Sequence, residues 1–502
     1  MHGRQGSGSP PGSPPASWYR GRRIPISVSF LTYTRLSEAY AVASESFHPY
    51  NQINIAIIVY PGFHCNGGGG LDRSFVCEQI YQNPQGVFRL ADVTTDQQAL
   101  VEAYKESADL IYLDPPFYTN QRYAVKQRVG TAGYLGNRDY VLSVENDFDT
   151  FSSAEAYMDY LRTLLTTAHA ILKKNGSIYI HVDFRAAYMV RGIADEIFGE
   201  RNLLNEIVWH YKSGGRAKKF YSRKHDTIFF YKKRRQPYFD PDAVGMRRGE
   251  ERRNNMKKGV DEDGRVYYSI RSAGKEYRYY ADSVIYPDDV WSDISHLQQK
   301  DPERTGYPTQ KPLALLRRII RASCPENGLV ADLCAGSGTT AVAAAMEGRR
   351  YCVVDKSPVS LSHTRSRLMS GGFGFHIQGE TEWGDPAQLS YQLGQSGEEL
   401  VLSLSHYAIS GYENPFRLAD YGTTAQLSLE SCGMVPQGPS DISLVSFAGL
   451  GRLVDGTLSL QSSMVRSAKY PMFQELLRLG PGPGQPCLVI GDVFGNQRAY
   501  LV

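Results

Sequence analysis

Hydrophobic positions along this chain fall into short unbroken runs, separated by longer stretches with helical spacing. Leu110 to Leu113, Gly176 to Val182 and Leu329 to Leu333 are runs of the kind buried within a parallel sheet. Tyr157, Leu161, Leu164, Ala168 and Ile171 recur every three or four residues, as do Leu313, Leu316, Ile319 and Ile320, the spacing of helices with one apolar face. An Ala-rich helical run ends near Gly348, and a further strand, Tyr351 to Val354, follows it. Strands alternating with helices predict an α/β protein with a doubly wound, mostly parallel sheet. The pattern fades at both ends. Residues 1 to about 24 are rich in Gly, Ser and Pro and are expected to be disordered, and 1–75 stay unassigned. After residue 371 only short strand candidates remain, at Glu399 to Leu404, Asp441 to Phe447 and Cys487 to Ile490, which predicts a small C-terminal β-rich domain.

Candidate chemistry sits where two of the apolar runs end. The first closes on Asp114-Pro115-Pro116-Phe117. Two prolines with fixed φ and no N–H make a rigid edge that presents carbonyl oxygens, Asp114 adds a carboxylate acceptor, and Phe117 adds a flat apolar face. Such an edge suits a planar base bearing an exocyclic amino group. A strand end followed by a simple Pro-Pro turn has the same residues, so the motif needs a companion.

The companion follows Leu329 to Leu333, in Cys334-Ala335-Gly336-Ser337-Gly338-Thr339-Thr340. Strand, glycine turn and helix in that order form the ligand-binding corner of a doubly wound sheet. Asp332 precedes the turn, no Lys follows it as a phosphate-binding loop requires, and the next strand ends in Asp355, where a ribose diol is held. An adenosyl ligand without phosphate fits this corner better than a nucleotide.

Together these segments resemble the β group of S-adenosylmethionine-dependent DNA amino-methyltransferases, in which the acidic Pro-Pro motif precedes the cofactor glycines. Tyr307-Pro308-Thr309-Gln310-Lys311-Pro312 is similar to the element that leads into the family's cofactor strand. Asn205 to Trp209 and His225 to Tyr231 are similar to its passage from catalytic half to target-recognition segment, so the likeness covers roughly residues 80 to 370. The resemblance implies a Rossmann-like sheet, S-adenosylmethionine as cofactor and double-stranded DNA as partner. It implies catalysis by Asp114, Pro115, Pro116 and Phe117 on a flipped-out base. Asp332, Cys334, Gly336, Gly338 and Thr339 then shape the donor site with Thr309 and Lys311, Asp355 holds the ribose, and Asp92 stands near the adenine. An acidic first position in the motif accompanies adenine more often than cytosine in the family, so N6 of adenine is the expected target, with N4 of cytosine the alternative. His181 and Asp183, at the end of another strand, are further candidates, more commonly structural.

Charge adds a reader. From Lys212 to Arg278 there are twenty Lys plus Arg against nine Asp plus Glu, in a chain whose net charge is only +3. Aromatics, among them Tyr221, Tyr238, Tyr267 and Tyr277, interleave with these cations, as nucleic-acid contact requires. Lys212, Arg216, Lys218, Lys219, Arg223 and Lys224 are the expected phosphate contacts. The segments divide as 76–211 for the catalytic half, 212–306 for the basic target-recognition insert, 307–370 for the cofactor half and 371–502 for the tail. The tail carries six basic against twelve acidic residues and is not expected to track phosphate.

Seven scattered cysteines without metal spacing exclude a disulfide framework and a zinc site as expectations. No apolar run reaches membrane length, the one at Ile53 to Tyr60 being too short, and no signal peptide is recognisable, which points to a cytoplasmic protein of a prokaryote or phage. A cognate restriction endonuclease and a homodimer are compatible with the family. Rival readings are a methyltransferase for RNA or a protein amide, and a DNA-binding modification subunit of a restriction assembly.

Overall fold

The structure, a computed structural model, describes residues 76–146, 149–212, 217–249, 256–412, 432, 434, 441–473 and 476–502. The Gly/Ser/Pro-rich start and the run from Ile53 to Tyr60 lie outside them.

The seven strands that begin the main sheet are β1 (Val76–Tyr81), β2 (Gly86–Leu90), β3 (Ala108–Leu113), β4 (Leu172–Val182), β5 (Leu203–His210), β6 (His225–Lys232) and β7 (Val290–Trp291). The second seven are β8 (Leu329–Asp332), β9 (Arg350–Asp355), β10 (Phe375–Trp383), β11 (Val445–Val454), β12 (Thr457–Val465), β13 (Gln485–Asp492) and β14 (Gln497–Leu501). They lie side by side in the order β1-β12-β11-β13-β14-β10-β2-β9-β8-β3-β4-β6-β5-β7. From β2 to β4 every neighbouring pair is parallel, and β6 is then wedged antiparallel between β4 and β5.

Alternation along the strands assigns each helix its face. Leu110 and Tyr112 of β3 point into one core with Leu315, Leu316, Ile319 and Ile320 of the helix Leu313–Ser323. Ile111 and Leu113 point into the other, with Tyr157, Leu161, Leu164, Ala168 and Ile171 of the helix Ala154–Ile171. All but Leu315 of these helix residues are ones whose periodicity predicted the two helices, and Leu313, also predicted, packs partly buried against the same core. A sheet with helices on both faces is the doubly wound α/β architecture.

Chain order reverses between β8 and β3. From β3 the chain moves on to β4 on one side, and from β8 it moves on to β9 on the other. Ligands in such sheets bind outside the carboxyl ends of the strands at that reversal. Asp332 ends β8 and Asp114 directly follows β3, so the topology places both motifs at one crevice.

The tail is more ordered in its pairing than its short apolar runs indicate. β1 pairs both with β12 and with β10, so β1, β12, β11, β13, β14 and β10 close into a ring of six strands. Closure leaves these strands without open edges. Inside it, the Gln79 side-chain amide donates to Thr381 and to Gln497, each at 3.0 Å, which ties β1 to β10 and β14. The ring shares β10 with the catalytic sheet, because Ile377 and Gln378 also pair with β2.

Candidate active site

A cavity of ≈ 200 Å³ opens at the chain reversal, lined by Asp114 to Phe117 on one side and by Asp332 to Ser337, Thr339 and Asp355 on the other. Asp92, Thr309 and Lys311 also line it. The two motifs, more than two hundred residues apart in the chain, therefore share one space. Five carboxylates, Asp92, Asp114, Asp149, Asp332 and Asp355, face it against two lysines, Lys311 and Lys356. An acidic cavity favours a cationic ligand and disfavours a phosphate.

Asp114 is held asymmetrically. Its Oδ2 accepts from the Lys311 ammonium at 2.5 Å, while its Oδ1 is buried with no hydrogen-bond partner among the described residues. A buried carboxylate oxygen without a donor is costly, and the cavity beside it is where a donor belongs. Lys311 also lies 5.1 Å from the centre of the Phe117 ring, so one ammonium braces both ends of the motif.

The prolines divide their work. The Pro116 carbonyl accepts from the Tyr157 hydroxyl at 2.7 Å, which anchors the turn to the helix Ala154–Ile171 and removes that carbonyl from the set of acceptors expected to serve a ligand. Tyr118, with φ of +56°, carries the chain out of the motif and stacks on the same Tyr157 ring at 5.0 Å. Left-handed backbone at a non-glycine residue is strained, and the stack holds it in place. Asp149 completes the brace by accepting from the Thr119 backbone at 3.1 Å and from its hydroxyl. Burial raises the Asp149 carboxyl, opposed by those hydrogen bonds. Neither Tyr157 nor Asp149 has a local signal that marks it as part of this site.

The two glycines of the opposite wall have different duties. Gly336, at φ +52°, turns its N–H onto Asp355, 2.8 Å from Oδ2, and lines the cavity. Gly338, at φ +74°, points away from the cavity, where a Cβ would lie 2.2 Å from the Thr364 hydroxyl. It was expected to shape the donor site, but it serves the close packing of the helix Thr339–Met346 against Pro358–Ser370. Thr339 faces the cavity and donates to the Lys311 carbonyl at 3.2 Å, linking the cofactor corner to the residue that braces Asp114.

Burial pushes the Asp332 carboxyl up to about 7, against hydrogen bonds from the Thr340 hydroxyl and the Cys334 N–H that pull it down. The Asp355 carboxyl is also raised by burial, despite the N–H groups of Ser357 and Gly336. Asp92 is different: burial alone raises it, but the Thr94 hydrogen bonds and Lys356 outweigh that and hold it below the usual range. The Cys334 thiol, driven far up by burial beside Asp332, stays protonated and is no nucleophile.

His181 is wholly buried behind the motif and does not line the cavity. Its Nδ1 meets the Tyr112 hydroxyl at 2.8 Å, its Nε2 meets Asp226 at 3.2 Å, and its ring packs 6.3 Å from that of Phe117. The neighbouring Asp183 binds Arg185. Both act on the scaffold. Of the expected phosphate contacts, Lys212, Lys218, Lys219 and Arg223 are exposed and Lys224 is half-buried, none of them lining the cavity, while Arg216 lies outside the described residues.

The DNA methylase family model, which spans N6 and N4 amino-methyltransferases, matches residues 108–364. The chain belongs to that family. Among curated proteins, the type II methyltransferase M2.LlaDCHI of Lactococcus lactis subsp. cremoris is 28% identical over 289 residues, which is 56% of this chain and 89% of the relative. Type II methyltransferase M2.DpnII of Streptococcus pneumoniae is 28% identical over 272 residues, 52% of this chain and 83% of its own. DNA adenine methyltransferase YhdJ of Escherichia coli is 28% identical over 265 residues, 51% of this chain and 76% of its own. The methylase transfers methyl groups from S-adenosylmethionine to an amino group of DNA. The cavity suits that cofactor: its acidic lining matches a sulfonium and an ammonium, and Gly336 leaves room for close backbone approach. Among the described residues no helix is long and apolar enough to cross a membrane, and no cluster of metal-binding side chains is present.

Proposed function

We propose that the methylase acts on N6 of an adenine flipped out of duplex DNA at a specific sequence, with residues 212–306 as the reading insert. The observation that carries this reading is the unpartnered Asp114 Oδ1, a buried acceptor on a residue that lines the cavity together with Pro115 and Phe117. A base inside a duplex cannot reach such an acceptor, and extrusion costs on the order of a few kcal/mol. Phe117 offers the ring on which the base stacks. Asp114 Oδ1 and the Pro115 carbonyl accept the two amino hydrogens and orient the nitrogen lone pair.

S-adenosylmethionine supplies an electrophilic methyl group. Forming the C–N bond breaks the sulfonium S–CH3 bond and leaves a neutral thioether, so positive charge moves to the amino nitrogen, which then releases a proton to solvent; the Asp114 carboxylate stabilises that charge more in the transition state than before it. Lys311 keeps the carboxylate aimed while leaving Oδ1 open. Asp332, Asp355 and Asp92 hold the cofactor's polar ends, and no covalent enzyme intermediate is needed.

Resemblance supports adenine through the acidic first motif position, and one of the relatives above is named as an adenine methyltransferase. For the insert, the support is a three-stranded antiparallel ribbon, Lys257–Val260, Val266–Ser272 and Lys275–Tyr280, that carries exposed Tyr277 and Tyr279. Arg278 of the ribbon and Arg265 just before its second strand lie over the rings of Tyr267 and Tyr280 at 4.6 and 4.2 Å, each paired with an exposed carboxylate, Glu276 and Asp282, that a phosphate would have to displace. Duplex DNA copied with hypoxanthine in place of adenine, and so without the 6-amino group, takes up no label from labelled S-adenosylmethionine. Equal labelling of that copy and of ordinary DNA overturns the adenine assignment.

Asp332 sets a pH dependence whose sign follows from its raised carboxyl. Below pH 7 in the free protein this group is protonated and neutral, and a cationic cofactor favours its ionised form. Affinity for S-adenosylmethionine therefore rises between pH 6 and 8, by up to about tenfold, and levels off above. Calorimetric titration across that range checks it: Asp332→Asn flattens the dependence, and an unchanged slope in the variant assigns the titration to another group.

A further inference from the structure

Residues 217–224, the described run that leads into β6, lie at the carboxyl edge of the sheet. β6 runs antiparallel to β4, with Thr227 opposite Val182, and β4 runs parallel to β3, with Ile180 opposite Leu113. The start of β6 thus lies at the edge where Asp114 follows β3. Tyr211 N–H donates to the Lys224 carbonyl at 2.9 Å and closes the base of the loop.

This run holds exposed aromatic side chains that do not line the cavity. Tyr221 is 98% exposed, and Phe220 beside it is largely exposed too. Water is a poor environment for two adjacent large rings, and single exposed aromatics are ordinary whereas an adjacent pair flanked by cations, one ring of it braced, is not. The brace is Arg223, whose guanidinium lies 4.0 Å from the centre of the Phe184 ring and 5.0 Å from that of Phe220. Phe184 stands two residues beyond the end of β4, so the brace fixes the loop to the catalytic edge. The Ala217 N–H donates to the Ser222 hydroxyl at 2.9 Å, which folds the segment that carries Tyr221 back on itself. Lys218 and Lys219 are exposed on the same segment, which supplies charge complementarity to a phosphate backbone.

We propose that Tyr221 enters the base stack of duplex DNA at the position the target base vacates, with the contact of Arg223 on Phe184 fixing its segment to the carboxyl edge of the sheet. The inference rests on the reading that the substrate base is flipped out. Removing a base leaves two exposed base faces, and an aromatic side chain in the gap restores stacking that extrusion has broken. A ring presented on a braced loop loses little freedom on entering.

The test uses the full chain and a duplex oligonucleotide carrying its methylation site, mapped beforehand on genomic DNA, in two forms: fully paired, and with the target base opposite an abasic position so that it is already unpaired. Tyr221→Ala slows transfer to the paired duplex at least tenfold and returns to within about twofold of wild type on the unpaired target. Tyr221→Phe, which keeps the ring, matches wild type on both. Equal slowing of Tyr221→Ala on the two substrates, or no slowing on either, overturns the proposal while wild-type activity leaves the methylation reading intact. Wild-type protein that methylates neither form removes the parent reading instead.

Discussion

Asp114→Ala lowers the single-turnover rate of methyl transfer by about 10²–10³-fold while changing the affinity for S-adenosylmethionine by no more than about threefold. The reason is where the carboxylate acts. One oxygen is fixed by Lys311, and the other is the unpartnered acceptor in the cavity, so the variant removes an interaction that strengthens as the amino nitrogen becomes positive. Asp114→Asn keeps an acceptor oxygen without the charge and falls between the two. Rapid-quench measurement of product with cofactor and DNA both saturating reads the chemical step. A rate for Asp114→Ala within a few-fold of wild type removes the carboxylate from the mechanism.

The second large effect belongs to Lys311→Met. Lys311 was expected at the cofactor, yet its ammonium is spent on Asp114, and both side chains are largely buried. Methionine fills much of the same volume without the charge and leaves a buried carboxylate unpaired, which costs up to about 3 kcal/mol of stability. Transfer slows by about 10- to 100-fold because Asp114 is no longer aimed, while cofactor affinity stays within a few-fold. Combining Lys311→Met with Asp114→Asn recovers most of the stability, since no unpaired charge remains, but none of the activity. Chemical denaturation and transfer kinetics on the four proteins of this cycle separate the two effects. A cofactor affinity that collapses in Lys311→Met, with transfer at saturation unchanged, returns Lys311 to cofactor binding.

The parts of this molecule that were legible in its sequence are those whose physics is local. An apolar run bounded by Asp114-Pro115-Pro116-Phe117 and another bounded by the glycine turn are strand ends, and strand ends on a parallel sheet converge on one edge. Helical periodicity at Tyr157 to Ile171 and Leu313 to Ile320 reports burial on one side, and those residues form the two faces of the core. Long-range choices left no such trace. Lys311 and Asp114 are 197 positions apart, and a lysine inside a string of family-like residues gives no hint of its partner. The two glycines at 336 and 338 read alike, although one meets a ligand space and the other a neighbouring helix, because only three-dimensional packing distinguishes them. The ring of tail strands was hidden for the same reason: it is closed by β1, whose pairing with β10 spans about three hundred residues. Short strands such as β14 have too few alternating positions to announce themselves before that pairing is known.

The most direct test of the whole account is the identity of the methylated nucleoside. Duplex DNA incubated with the full chain and labelled S-adenosylmethionine, then digested to nucleosides and separated, yields N6-methyladenine as the labelled product. Label in N4-methylcytosine, or none in DNA beside label in RNA or protein, contradicts it.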